Sequence, residues 1–350
     1  MHSSKKVIFG ISSYLLLNVV YGTQATQSTP VPIVQAVAPQ TIQISQNPAG
    51  SNAHYKQAEQ YMRKTFGDPK WRDYYDLYVI VDRLARANGL DDRPWRILTV
   101  PTYDINAFAT EVNLLAFFDG LLDQIDGDRN ALACVAGHEM AHHTQKHIPI
   151  SVSERQRILQ QLRQEVVDEV IAENEDLRRD LSAMDIGAWV TGTAGQVTGR
   201  TGGILGNVVG NILQSGRRRR IAEAEQRIKT IYAEKEATLQ KEWRDLSHRH
   251  EFEADKFGYQ YMVRAGYNPQ GCITVFNVIE RMPTSQLDSN THPLASDRIV
   301  AMNALTTQYP PSKLANEGKS RLAASPQPLG YGISRDGRSL RVNSRTGSNR

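Results

Sequence analysis

A chain of 350 residues, 40% apolar and 22% charged, can bury a sizeable core, which excludes a staple-dependent miniprotein and leaves room for one large catalytic domain or two modest ones. The formal net charge of +4 is too small to argue for a nucleic-acid partner. Much of the basicity is local, in the block Arg217 to Arg220 and in the end after Lys319, so residues 309–350 are expected to form a solvated, disordered basic tail.

Lys5 and Lys6 precede an apolar run from Val7 to Val20, and the small residues Gly22 and Ala25 follow. This is the pattern of a secretory signal peptide over residues 1–22. The run is short for a stable span and is interrupted by Ser12, Ser13 and Asn18, so the expected product is exported, periplasmic or extracellular, with membrane association through an uncleaved anchor as the alternative. Residues 23–53, dominated by Gln, Thr, Pro, Ser and Ala, read as an extended linker.

A folded domain is expected over residues 54–308. Tyr55 to Gly67 and Tyr74 to Asn88 have helical spacing, and Gly89 closes the second helix. Trp95 to Val100 and Ala107 to Phe118 read as strands. Asp128 or Asn130 then starts a helix containing Leu132, Val135, Ala136, Met140 and Ala141. Residues 151–246 read as an insertion of two long amphipathic helices, one marked by Ile158 to Leu181 and one by Ile221 to Leu246. Between them, 186–216 carries glycines at four-residue steps, as in Gly195, Gly199 and Gly203. That spacing suits a helical-hairpin tip packing on another chain or touching a bilayer surface, against the plainer reading of a partnerless glycine loop. Beyond it, Glu251 to Ala265 continues as a helix ended by Gly266, Asn268-Pro269 caps another running to Met282, and a loop from Thr291 to Arg298 leads into a last helix ending near Thr307. Cys134 and Cys272 are the two cysteines; a disulfide and a pair of buried free thiols both fit their apolar surroundings.

The chemistry is concentrated in His138-Glu139-Met140-Ala141-His142. Helix residues four apart share a face, so His138 and His142 can aim imidazole nitrogens at one metal ion, while Glu139, one residue round, is placed to take a proton from a metal-activated water. A catalytic zinc needs a third protein ligand and an open position. The extended pattern with Gly at 145 and His at 148 is absent, since Gln145 and Ile148 stand there, and His143 and His147 lie at unsuitable offsets and read as surface histidines. The richest remaining segment is His250 to Asp255. Glu251 and Asp255 share a helix face, with Ala254 small enough for close packing, so Glu251 is the candidate third ligand and Asp255 the candidate partner of a ligand histidine; Glu253 points elsewhere.

Together these residues resemble the HtpX-like, CAAX-prenyl-protease-type gluzincin metallopeptidases. His138, Glu139 and His142 match the first family motif, and Glu251 with Ala254-Asp255 matches the Glu-x-x-Ala-Asp motif whose Glu is the third zinc ligand. Asn106-Ala107-Phe108-Ala109 looks like the strand beside the family's active site, and Thr291-His292-Pro293 with Arg298 looks like its downstream loop. The resemblance implies a mainly helical α+β, zincin-like domain with a small sheet, one zinc ion per chain, and an edge strand that holds an extended peptide. It also implies a gate at His292, against an ordinary loop histidine, and a substrate or oxyanion contact at Arg298, against a structural salt bridge. Thr110-Glu111-Val112-Asn113 replaces the family's Pro-Gly-Gly turn, which puts the edge-strand geometry in question. The expected function is a zinc metalloendopeptidase acting on unfolded or misassembled envelope polypeptides. The rival is a chaperone or assembly scaffold with a silent or gated zinc site.

Overall fold

The computed structural model describes residues 52–125, 127–147, 150–182, 215–282 and 292–347. These belong to a unit spanning Gln43–Arg350. The expected signal peptide, nearly all of the linker and almost all of the glycine-rich stretch 186–216 lie outside the described residues.

Helix α1 (Asn52–Phe66) buries Tyr55, Ala58 and Met62 at helical spacing against α2 (Trp71–Asn88). Gly89, at φ 67°, ends α2 by donating its N–H to Ala85 O, the capping expected from the sequence. Strand β1 (Trp95–Val100) alternates inward and half-buried residues. The expected strand from Ala107 to Phe118 is instead a tight hairpin of β2 (Ala107–Ala109) and β3 (Leu114–Phe118). Its turn is made by the four residues that depart from the family pattern, with Asn113 at φ 57° and its side-chain amide donating to Pro94 O at 3.0 Å. Asn tolerates this left-handed conformation better than most residues. A short α3 (Asp119–Ile125), not anticipated, leads to α4 (Arg129–Thr144), whose N-cap Asp128 accepts from Asn130 N and Ala131 N.

The insertion begins with α5 (Val152–Ala172) and α6 (Glu175–Ser182), where one continuous helix was expected. The break has a local cause: Asn174 Oδ1 accepts from Leu177 N at 2.9 Å, an N-cap that restarts the helix. The chain returns as α7 (Ser215–Arg264), 50 residues long and so about 75 Å from end to end. The N-terminal part of α7 packs Ile221, Ala224, Ile228 and Tyr232 on Val166, Val167, Val170 and Leu177, a core separate from the main one. Its C-terminal part crosses α4. No described helix is long and apolar enough to cross a membrane.

Helices α8 (Gln270–Glu280) and α9 (Ala295–Gln308) follow, and Asn268 Oδ1 caps the first by accepting from Gln270 N. The expectation of a disordered tail is overturned. Residues 311–342 form α10 (Pro311–Ala324), β4 (Tyr331–Ile333) and β5 (Leu340–Val342). The sheet runs β2-β3-β1-β5-β4, parallel between β1 and β3 and antiparallel elsewhere. Few apolar residues are needed to hold this segment, because four of them reach the core: Leu314, Leu329, Leu340 and Val342 are all buried. Leu329 N also donates to Asp82, whose carboxylate is fully buried with Arg86 and Tyr55. Composition registers average polarity and misses such placement.

Candidate metal centre

The centre lies where α4 crosses α7. A Cβ on Gly137 would come within 2.9 Å of Gly258 O, and one on Gly258 within 2.8 Å of His138 N. These two glycines, with fully buried Ala254, let the backbones approach closely enough for side chains of both helices to converge. The sequence signal for this is the small residue at 254; Gly137 and Gly258 meet only in the folded chain.

At the crossing, one ligand atom each from His138, His142 and Glu251 lies within 4.8 Å of the others. His142 Nε2 is 3.0 Å from His138 Nε2 and 3.2 Å from Glu251 Oε1, and His138 Nε2 is 3.5 Å from Glu251 Oε2. Glu251 is 4% exposed, yet its Oε2 accepts no properly directed hydrogen bond. Two imidazole nitrogens face to face beside a buried carboxylate is a donor set that fits a cation.

Partners behind the cluster fix its orientation. Asp255 Oδ1 lies 3.0 Å from His138 Nδ1, so that nitrogen carries the proton and Nε2 is left for the cluster. Arg298 grips Asp255 with two hydrogen bonds of 2.8 and 2.7 Å and brings Nη1 to 3.2 Å from Glu251 Oε2. Arg298 is buried and paired with these carboxylates, the arrangement of a salt bridge, and it also lines the neighbouring cavity. His292 is exposed, and its Nδ1 stands 2.9 Å from Glu251 Oε2, at the mouth of the cluster.

Two residues set aside in the sequence belong here. His147 is buried, with Nδ1 3.2 Å from His142 Nδ1 and Nε2 3.1 Å from Glu253 Oε2. Thus His147 is not a surface histidine, and Glu253 points at it. His143 donates from Nδ1 to Thr110 O at 3.0 Å and stands edge-on to Trp95, tying α4 to the β2–β3 hairpin. Neither position is readable from helix periodicity, because both depend on elements remote in sequence.

Electrostatics separate the two acids. Burial raises the Glu139 carboxyl to about 6, with the His138 charge opposing and Glu251 adding to the rise. Burial also works against Glu251 ionising, but the imidazoles of His138, His142 and His292 close to it outweigh this and hold the carboxyl well below its usual range. Asp255 is likewise lowered, burial being overcome by the Arg298 charge. For His138, burial opposes protonation, while Asp255 and Glu251 push its pKa up to about 10 in the absence of a cation, so a metal at the cluster would take the place of the Nε2 proton. His142 is lowered by burial and by the His138 charge.

Beside Glu139 opens a cavity of about 240 Å³ with a largely apolar lining that includes Leu121, Val135, Val275, Phe276 and Ile279. Cys134 and Cys272 are joined as a disulfide that clamps α4 to α8 behind it, which decides between the two readings of these cysteines. The start of β2 borders the same cavity through Asn106 and Ala107. Asn106 O accepts from Phe118 N and Thr110 N donates to Leu114 O, so alternate residues face β3, and the N–H and C=O of Ala107 and Ala109 face the open edge.

The sequence model described as Peptidase family M48 matches residues 73–306. A protein of Vibrio cholerae serotype O1 named "Putative beta-barrel assembly-enhancing protease" is 24% identical over 298 residues, covering 83% of this chain and 50% of that protein. The chain therefore spans about half the length of this curated relative. No solved structure matches.

Proposed function

The chain belongs to peptidase family M48, a family of metal-dependent peptidases, and from that premise we propose that it is a zinc-dependent endopeptidase acting on unfolded or misassembled envelope polypeptides. The observation that carries this reading is the convergence of His138, His142 and Glu251 with Glu139 next to them, at an apolar cavity bordered by the open strand β2. Two histidines and a carboxylate are a donor set of catalytic zinc sites, which keep one further position open. When bound, the metal supplies Lewis acidity that lowers the pKa of water and polarises a carbonyl.

The chain's own residues do the rest. Ala107 and Ala109 present backbone N–H and C=O groups to an extended substrate, which adds as a strand and brings its scissile bond over the cluster. The cavity beside Glu139 takes an apolar side chain of that substrate. Glu139, raised toward 6 by burial, accepts a proton from the attacking water and returns it to the leaving amine. Asp255 and Arg298 act as positioning residues: they hold His138 and Glu251 in place. His292 stands over Glu251 and is the candidate gate, covering the cluster until substrate displaces it.

Export and envelope work rest on the signal-like residues 1–22 and on the name of the Vibrio relative. The stretch 186–216 remains the candidate contact to a membrane surface or to another chain. Cleavage of casein, an unfolded substrate, by zinc-loaded wild type and by His292→Ala tests the proposal. The gate predicts faster cleavage by the variant. No cleavage by either contradicts a peptidase and favours the chaperone or scaffold reading.

A further inference from the structure

The two metal-cluster histidines are held from behind in different ways. His138 has the carboxylate of Asp255. His142 has His147, and behind it Glu253.

The backbone is arranged for this contact. Helix α4 ends in a Schellman turn: His147 N donates to His142 O at 2.9 Å and Lys146 N to His143 O at 3.2 Å, with Lys146 in the left-handed region at φ 59°. Glycine normally occupies that position, and a residue with a Cβ is strained there by roughly 1–2 kcal/mol. The turn folds His147 back beneath His142. From α7, His250 stacks flat on the His147 ring, centroids 4.3 Å apart and planes 6° from parallel, and Glu253 reaches its far nitrogen. The His147 side chain is 3% exposed, while that of Glu253 is 48% exposed.

We propose that His147 is the positioning residue for His142, completing a carboxylate–histidine–histidine chain that fixes the tautomer and rotation of the second metal ligand. The inference rests on the metal-site reading above. Glu253 is acceptor-only when ionised, so His147 Nε2 donates to it. His147 Nδ1 is then the lone-pair nitrogen and accepts the proton of His142 Nδ1–H. That leaves the lone pair of His142 Nε2 facing His138 and Glu251, where a metal would be held. Partners of this kind commonly account for 10- to 100-fold in metal affinity.

Two isosteric variants separate the proposed role from simple packing. His147→Asn keeps an acceptor near the place of Nδ1 and loses the link to Glu253; His147→Gln keeps a polar atom near Nε2 and loses the acceptor for His142. Zinc affinity of the full chain is measured by competition with a chromophoric chelator, together with the melting temperature of the metal-free protein. The account predicts that His147→Gln binds zinc about 10- to 100-fold more weakly, that His147→Asn stays within a few-fold of wild type, and that both metal-free proteins melt alike. Equal affinity of His147→Gln and wild type, or an equal loss in both variants, overturns the positioning role. Failure of wild type to bind zinc overturns instead the metal-site reading on which it rests.

Discussion

Glu139 and Glu251 are both buried glutamates within one cluster, and their surroundings drive them apart. Glu251 is surrounded by imidazole and guanidinium nitrogens that keep it ionised, which suits a ligand. Glu139 faces the apolar cavity, and burial lifts it to about 6, which suits a base working near neutral pH. The sign follows: a general base must be ionised, so kcat/KM for a peptide substrate should climb as pH rises through about 6 and fall about tenfold per unit below it. An acid limb centred at the ordinary glutamate value near 4.5 would show that the cavity does not perturb Glu139. The ligand candidates were legible in the sequence because each pair is a matter of four-residue spacing on one helix. The role of His147 was not, because it depends on a left-handed Lys146 and on His250 and Glu253, more than a hundred positions away.

Among the elements, the crossing of α4 and α7 sets the geometry of the centre. Gly258→Ala puts a methyl group 2.8 Å from His138 N and 3.0 Å from His138 Cα, and backbone cannot yield as a flexible side chain can. We expect a loss of about 1–3 kcal/mol in stability and weaker zinc binding, since the helices carrying His138 and Glu251 must separate. Unchanged melting and unchanged zinc affinity would mean that the crossing has slack. Most helices and strand β1 could be placed from sequence because their apolar periods or caps are local, as with Asp128 ahead of α4 and Gly89 behind α2. The β2–β3 hairpin was blurred into one strand, because the usual glycine turn signal is missing and Asn113 alone supplies the left-handed residue.

At the scale of the whole molecule, the C-terminal segment is part of the domain. Strand β5 pairs with β1, Leu340 and Val342 are fully buried, and α10 brings Gly318 so close to α7 that a Cβ would meet Arg264 O at 1.8 Å. Truncation after Gln308 would leave an edge of β1 and part of the core bare, so the shortened chain should melt far lower or precipitate; thermal melting identical to wild type would restore the picture of a dispensable tail. The same sparse apolar content that hid this segment in the sequence is enough to hold it, because buried area depends on position and not on average composition. The continuous α7 also runs from the insertion, with its own small core, to Glu251 at the metal cluster. The central claim, a metal peptidase in which Glu139 is the base and not a ligand, is tested most directly by Glu139→Gln, with zinc stoichiometry and casein turnover measured on one preparation. The account predicts full zinc occupancy with turnover reduced by orders of magnitude; loss of the zinc, or retention of turnover, would contradict it.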